Sequence, residues 1–318
     1  MADIRELIKF IKKEFNHSLK SFPLPKHPEY LYDPIRFALK GKGKRFRPTL
    51  VHLSGREFNT DPDTIMKVSL AVELLHCFTL IHDDIMDNDD VRRNMPTLYK
   101  KYDISSAILA GDGIFTISQL VLNSIGEKQK IILQLFNETV LEICEGQALD
   151  KYFESKRDIS LKQYIEMVEK KTGALLGACC FLPAVLAGKS NNIIDGLKKV
   201  GKKVGIAFQI QDDLLEVFGE ENIMGKSLGS DIFSNKKTVI AIEAKNSFKS
   251  DWEKIIGQFD GKNLVDIRNF LIERKLKDKV ENLSKSYFNS AYNTLISLGL
   301  DKKSDLYNFL KIIQGRHS

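Results

Sequence analysis

The chain has 318 residues, 43% hydrophobic and 28% charged, an ordinary globular composition that excludes a disordered or fibrous protein. Its 48 Lys and Arg against 42 Asp and Glu leave a net charge of +6, a modest excess that suits an anionic small molecule as well as a membrane surface or nucleic acid. No zinc-finger spacing and no aromatic-basic strand motif accompanies that charge, so no nucleic-acid partner is expected.

In the first fifteen residues Ile4, Leu7, Ile8, Ile11 and Phe15 recur at helical spacing, and no secretory apolar stretch is present. A basic amphipathic helix can lie on a membrane, but packing on its own core is the commoner use of this pattern. Turn signals then divide further helical runs: Pro23-Pro25-Pro28, Gly41-Lys42-Gly43, Asn59 to Pro62, Gly111-Asp112-Gly113 and Gly219 to Asn222. Alternating strand patterns are missing. The expectation is an all-α fold, one domain over residues 1–318, with roughly ten or more helices.

Lys42, Lys44, Arg45 and Arg47 crowd the glycine-rich turn that ends at Pro48. Glycine lets backbone approach an anion, and arginine grips phosphate oxygens in pairs. The next long run, Leu70 to Met86, is apolar until it meets His82-Asp83-Asp84 and Asp87. On a helix Asp83 and Asp87 lie one turn apart on one face, with Asp84 about 100° away. Like charges at that spacing repel, and a divalent cation removes the repulsion. Arg92 and Arg93 follow directly, then Lys170-Lys171-Thr172-Gly173. The longest apolar run, 173–188, is interrupted by Pro183 and falls short of the ~20 residues of a membrane span. Asp212, Asp213 and Glu216 repeat the first acidic cluster, and Gly225-Lys226 and Asn235-Lys236-Lys237-Thr238 come after it. Two all-oxygen clusters on facing helices would hold Mg²⁺, which keeps waters and bridges to substrate phosphates. Taken one at a time, each cluster also reads as a solvated helix end, and each lysine as a solvated charge. Cys77, Cys144, Cys179 and Cys180 sit in apolar stretches without zinc spacing, which predicts buried, reduced thiols in a cytoplasmic protein.

In order and spacing, GKGKRFRP, LLHCFTLIHDDIMDNDDVRRNMPT, AGDG, GQALD, KTG, FQIQDDLLEVFG, GKSLGSDI and NKKT resemble the trans-isoprenyl diphosphate synthases, or polyprenyl synthetases, of short-chain type. The resemblance runs from Gly41 to about Thr238. It implies helices around a central cavity and head-to-tail condensation of isopentenyl diphosphate with an allylic diphosphate. It implies two to three Mg²⁺ ions, with Asp83, Asp87 and Asp212 as ligands, Asp84 nearby, and Asp150 and Asp231 touching metal-bound water. Arg92, Lys171, Lys226 and Lys236 would hold the allylic diphosphate, and Thr172 and Gln209 would lie beside its reacting carbons. Lys44, Arg47, His76 and Arg93 would bind isopentenyl diphosphate without metal, and Arg316 would close over it. Glu216 stands where the family usually carries a third aspartate, which puts direct ligation there in doubt. The resemblance also implies a homodimer.

Phe78, five residues before Asp83, is bulky and its neighbour Thr79 is small, and the first cluster lacks the two extra residues of bacterial farnesyl synthases. That pairing favours a C20 geranylgeranyl product, with C15 farnesyl next. Two other readings use the same helices. A terpene cyclase would dispense with the basic turn Lys44–Arg47, and a non-catalytic subunit would lose one of the acidic clusters.

Overall fold

The computed structural model describes residues 3–41, 43–92, 94–219, 228–233, 236–259 and 264–315. The fold is all-α and divides into two compact units. One comprises Met1–Asn137, Cys179–Ile194 and Lys302–Phe309; the other comprises Glu138–Ala178, Asp195–Asp301 and Leu310–Ser318.

In the first unit, α1 (Ile4–Lys20) starts at Asp3, whose carboxylate accepts from the Arg5 amide, and buries Ile8, Ile11, Phe15 and Leu19. This is the apolar stripe expected from the sequence. Helices α2 (Glu29–Leu39) and α3 (Phe46–Glu57) follow. The long α4 (Pro62–Asp87) opens where Asp61 accepts from the Thr64 amide at 2.8 Å and Pro62 occupies the first turn. It stops at Asn88, which adopts a left-handed φ of 57°. A two-stranded antiparallel ribbon, β1 (Val91–Arg92) and β2 (Met95–Pro96), pairs Arg92 with Met95. Two residues per strand are too few to leave an alternating pattern, so the ribbon was not expected. The unit continues through α5 (Leu98–Lys101), α6 (Ile104–Asn123) and the start of α7 (Gln129–Glu154).

Gly111-Asp112-Gly113 does not divide helices; α6 runs straight through it. The glycine serves packing instead. A Cβ on Gly111 would collide with the His82 ring of α4, so the lack of a side chain there lets the two helices lie this close. Leu74, Ile81, Ala107, Ala110 and Ile114 fill the core between α4 and α6. Among the described residues α4 and α6 are long and apolar enough to cross a bilayer by length and composition, at mean hydropathy 1.6 and 1.4. The apolar window of α4 is largely buried, as in a core helix, and its last turn carries three carboxylates.

In the second unit, the remainder of α7 leads to α8 (Leu161–Val168), opened by a capping box between Ser160 and Gln163. A π-helical turn (Glu169–Gly173) joins α8 directly to α9 (Ala174–Leu186), whose residues from Cys179 onward belong to the first unit. Pro183 lies inside α9 rather than ending it. Then come α10 (Asn191–Phe218), in the second unit from Asp195, α11 (Ser230–Phe233), α12 (Val239–Gln258), α13 (Val265–Glu273), α14 (Leu276–Ser297) and α15 (Asp305–Gln314), which is divided between the first unit, to Phe309, and the second, from Leu310. Tyr164, Ile210, Val239, Trp252, Leu271 and Val280 belong to the core of this unit. Cys179 and Cys180 are buried thiols as expected, but Cys77 is half-buried and Cys144 is exposed. Cys144 falls on the face of α7 shared by the exposed Leu141 and Glu145.

Candidate active site

The last turn of α4 sorts its three aspartates by face. Asp83 and Asp87 are half-buried, whereas Asp84 is 5% exposed. Asp84 Oδ1 accepts from Arg92 Nε at 2.5 Å, and Arg92 also lies 3.6 Å from Asp89. Burial pushes the Asp84 carboxyl up to about 6 against the pull of Arg92. Asp84 therefore anchors the arginine that the ribbon brings back beside α4, and it does not sit with Asp83 and Asp87.

The basic turn ahead of α3 is locked by Arg45. This residue takes a left-handed φ of 51°, which side chains adopt only when their surroundings demand it. Its guanidinium donates to Glu73 at 2.6 Å, to Asn16 at 2.9 Å and to the Gly41 carbonyl at 3.0 Å. Arg45 and Glu73 are each about 10% exposed. So held, the turn leaves Lys44 exposed and brings Arg47 Nη1 within 3.1 Å of His76 Nε2. A cavity of about 390 Å³ opens beside these groups, with Arg45, Glu73, His76, Asp84 and Arg92 on its wall and apolar residues behind them. Phe78 and Thr79 are not on that wall. Phe78 stacks on Phe115 of α6 at 5.3 Å and meets the His82 ring edge-on at 4.7 Å. The Thr79 hydroxyl donates to the His76 carbonyl at 2.9 Å.

In the second unit the site residues gather on the π-turn. The wider turn inserts an extra residue and sends Lys171 and Thr172 in directions a regular helix would not. Lys171 Nζ donates to Asp150 Oδ2 at 2.5 Å. The Thr172 hydroxyl donates to Gln209 Oε1 at 3.2 Å. Gly146 of α7 lies so close to the Lys171 backbone that any Cβ there would clash, which gives the glycine of GQALD its purpose.

Gln209 Nε2 in turn donates to Asp213 Oδ1 at 3.1 Å, and Asp213 Oδ2 accepts from the Tyr164 hydroxyl at 2.8 Å and the Val239 amide at 2.9 Å. Burial pushes the Asp213 carboxyl up to about 7 against those three donors. Asp213 is thus a buried structural hub, while Asp212 stays half-buried. Glu216 is 2% exposed, and its Oε1 accepts from the Asp231 amide at 3.2 Å. The longer side chain, standing where a third aspartate was expected, reaches the start of α11. The Lys236 amide donates to the Asp231 carbonyl at 2.8 Å. Arg93, Lys226 and Arg316 lie outside the described residues.

Among the described residues no three His, Cys, Asp or Glu side chains gather into a metal-binding group. The candidate ligands Asp83, Asp87 and Asp212 nevertheless fit Mg²⁺. They are hard oxygen donors, two of them on one face of α4, and Mg²⁺ takes one or two carboxylates plus waters and phosphate oxygens rather than a full protein cage.

Sequence reasoning missed the supporting groups. Glu73 inside the apolar run ahead of His76 was a signal, because a carboxylate there needs a cation, and Arg45 supplies it. Nothing local marked Tyr164 as the partner of Asp213. The ammonium of Lys202, which meets both Glu142 and Glu169 in the second unit, went unmarked as well.

The profile of the polyprenyl synthetase family matches residues 28–269. A geranylgeranyl diphosphate synthase from Sulfolobus acidocaldarius is 33% identical over 306 residues, 93% of this chain and 92% of that protein. A geranylfarnesyl diphosphate synthase from Natronomonas pharaonis is 37% identical over 255 residues, 74% of this chain and 75% of that one. The crystal structure of a geranylgeranyl pyrophosphate synthetase from Pyrococcus horikoshii aligns with 98% of this chain and 99% of its own, at TM-score 0.88 and 32% identity.

Proposed function

The chain belongs to the polyprenyl synthetase family, and from that premise we infer that it is a prenyltransferase that condenses isopentenyl diphosphate head to tail with an allylic diphosphate. The family match over residues 28–269 carries this conclusion. In our reading residues 1–318 act as a single synthase domain, a homodimer in the cytoplasm with no membrane span. Asp83, Asp87 and Asp212 would hold two to three Mg²⁺ ions.

When bound, Mg²⁺ supplies electrostatic stabilisation of the negative charge that develops on a departing diphosphate. The chain's own cations do the rest of the binding. Arg92, Lys171, Lys226 and Lys236 hold the allylic diphosphate and draw charge onto it as the C–O bond breaks. Lys44, Arg47, His76 and Arg93 hold isopentenyl diphosphate, and the 3.1 Å contact between Arg47 and His76 supports their acting together. Thr172 and Gln209, paired at 3.2 Å, turn oxygen lone pairs towards the allylic cation. Apolar walls keep water from that cation. The isopentenyl double bond attacks it, and the departing diphosphate accepts the proton released.

We propose a C20 product, favoured by the large Phe78 beside the small Thr79. One substitution makes the floor testable. Phe78→Ala should lengthen the main product by at least one C5 unit, read by reverse-phase chromatography of the dephosphorylated alcohols, because it removes the ring that stacks on Phe115. An unchanged product would remove Phe78 from the floor. The reaction itself is tested with purified chain, Mg²⁺, isopentenyl diphosphate and each of the C5, C10 and C15 primers. Isopentenyl consumption with product masses at C20 is the expected result. A cyclic hydrocarbon, or no consumption with any primer, would overturn the assignment, and C15 or C25 products would overturn the C20 reading alone.

A further inference from the structure

Helix backbone presses on the π-turn of the second unit from two sides. Gly146 of α7 abuts Lys171, and Gly205 of α10 lies so close to Gly173 that a Cβ there would clash. Lys202 and Gln209 share the stripe of α10 that carries Gly205, three residues before it and four after. Gln209 meets the Thr172 hydroxyl. Lys202 spans further. Its ammonium donates to Glu142 Oε1 on α7, one turn before Gly146, and at 3.3 Å to Oε1 of Glu169, the first residue of the π-turn. The side chains of Lys202 and Glu142 are each no more than 20% exposed, so water and salt screen this bridge less than a surface pair. The neighbouring Lys170 gives its own hydrogen bond to Glu145 at 2.5 Å, and its charge acts on Glu142 through space. Loss of the Lys202 ammonium would leave Glu142 and Glu169 as partly buried carboxylates that no longer share a donor.

A regular α-helix competes with any π-turn, so the wider turn persists where its surroundings hold it. We propose that Lys202 is a positioning residue of the synthase: it ties the start of the π-turn to α7 and so aims Lys171 and Thr172. Those two residues serve the allylic diphosphate in the reading given above, on which this role rests. Lys202 acts through them rather than on substrate. A displacement of about 1 Å at groups that grip a reacting substrate can cost a hundredfold in rate, so a clamp remote from the chemistry can govern it. Lys44, Arg47, His76 and Arg93, assigned to isopentenyl diphosphate, lie in another stretch of the chain, so the clamp should spare that substrate.

The test replaces Lys202 by Met, which keeps the aliphatic stem and removes the ammonium. In Lys202→Met, kcat/KM for the allylic primer should fall at least thirtyfold. The KM for isopentenyl diphosphate should stay within twofold, with an unchanged circular dichroism spectrum. Lys202→Arg should return to within threefold of wild type, and Lys199→Met, at an exposed lysine of the same helix, should match it. Introduced into Lys171→Met/Thr172→Val, Lys202→Met should cost less than a further twofold, because the residues it acts through are gone. Amide hydrogen exchange over residues 169–174 should be at least tenfold faster in Lys202→Met. Glu169→Gln opens the clamp at its more exposed end, and should raise the allylic KM in the same direction should Lys202→Met not fold. Kinetics within twofold of wild type in both variants, an equal loss with and without Lys171 and Thr172, or unchanged exchange would overturn the role. A wild-type chain that consumes no isopentenyl diphosphate with any primer would overturn the reaction instead, and the exchange measurement would still decide the clamp.

Discussion

Asp83→Asn should lower turnover by about a thousandfold while leaving thermal stability almost unchanged. The two effects separate because Asp83 is half-buried at the last turn of α4 and, in the proposed site, would give its oxygen to a cation rather than to the core. Replacing one carboxylate oxygen with an amide weakens Mg²⁺ where charge accumulates on the leaving group. Loss of about 4 kcal/mol of such stabilisation corresponds to a thousandfold. Steady-state kinetics across a Mg²⁺ titration, with differential scanning calorimetry on the same samples, would read both quantities. Chelation by EDTA should silence the wild-type chain, and added Mg²⁺ should restore it. Retained turnover in Asp83→Asn at any Mg²⁺ concentration would remove Asp83 from the metal set.

Asp213→Ala should do the opposite kind of damage, costing about 3–5 kcal/mol of stability and lowering the melting temperature by on the order of 10 °C. Truncation deprives the Tyr164 hydroxyl and the Val239 amide of their acceptor, and Tyr164 is only 2% exposed, so water cannot readily replace it. Gln209 loses its tether too, and with it the orientation that meets Thr172. Tyr164→Phe is the internal comparison. It removes a donor but leaves Asp213 with two others, and should cost only about 1 kcal/mol. Urea unfolding of the three chains would order them wild type, Tyr164→Phe, Asp213→Ala. Equal stability of Asp213→Ala and wild type would sink the hub.

The contrast between Asp83 and Asp213 shows where sequence reading stops. Helical periodicity placed the apolar faces of α1 and α4 because burial repeats with the helix turn, whatever the neighbours are. It also put Asp83 and Asp87 on one face, and it rotated Asp84 away. It could not say which member of an Asp-Asp pair is buried. That depends on partners outside the helix itself: Arg92, eight residues on across the ribbon, for Asp84, and the distant Tyr164 and Val239 for Asp213. Glycine misled in the same way. Gly111 looks like punctuation, but it marks a close helix approach to His82, which is 29 residues earlier in sequence and visible only in space. Arg47 and His76 were assigned to one substrate through motifs of known order, but neither their 3.1 Å contact nor the Arg45–Glu73 pair was foreseen.

The π-turn at Glu169–Gly173 amounts to a phase slip of one residue between α8 and α9. Tyr164 on one side of the slip faces the Asp213 hub, while Lys171 and Thr172 within it meet Asp150 and Gln209. Excising one residue from this stretch would wind it into an unbroken α-helix; a π-turn of five residues sweeps about the angle that four residues sweep in an α-helix, so the flanking faces would keep their phase while Lys171 and Thr172 lost the directions the wider turn gives them. The protein would then keep the tyrosine's anchorage and lose the lysine–threonine pair. A one-residue deletion here would thus be more damaging than most point substitutions in the same segment.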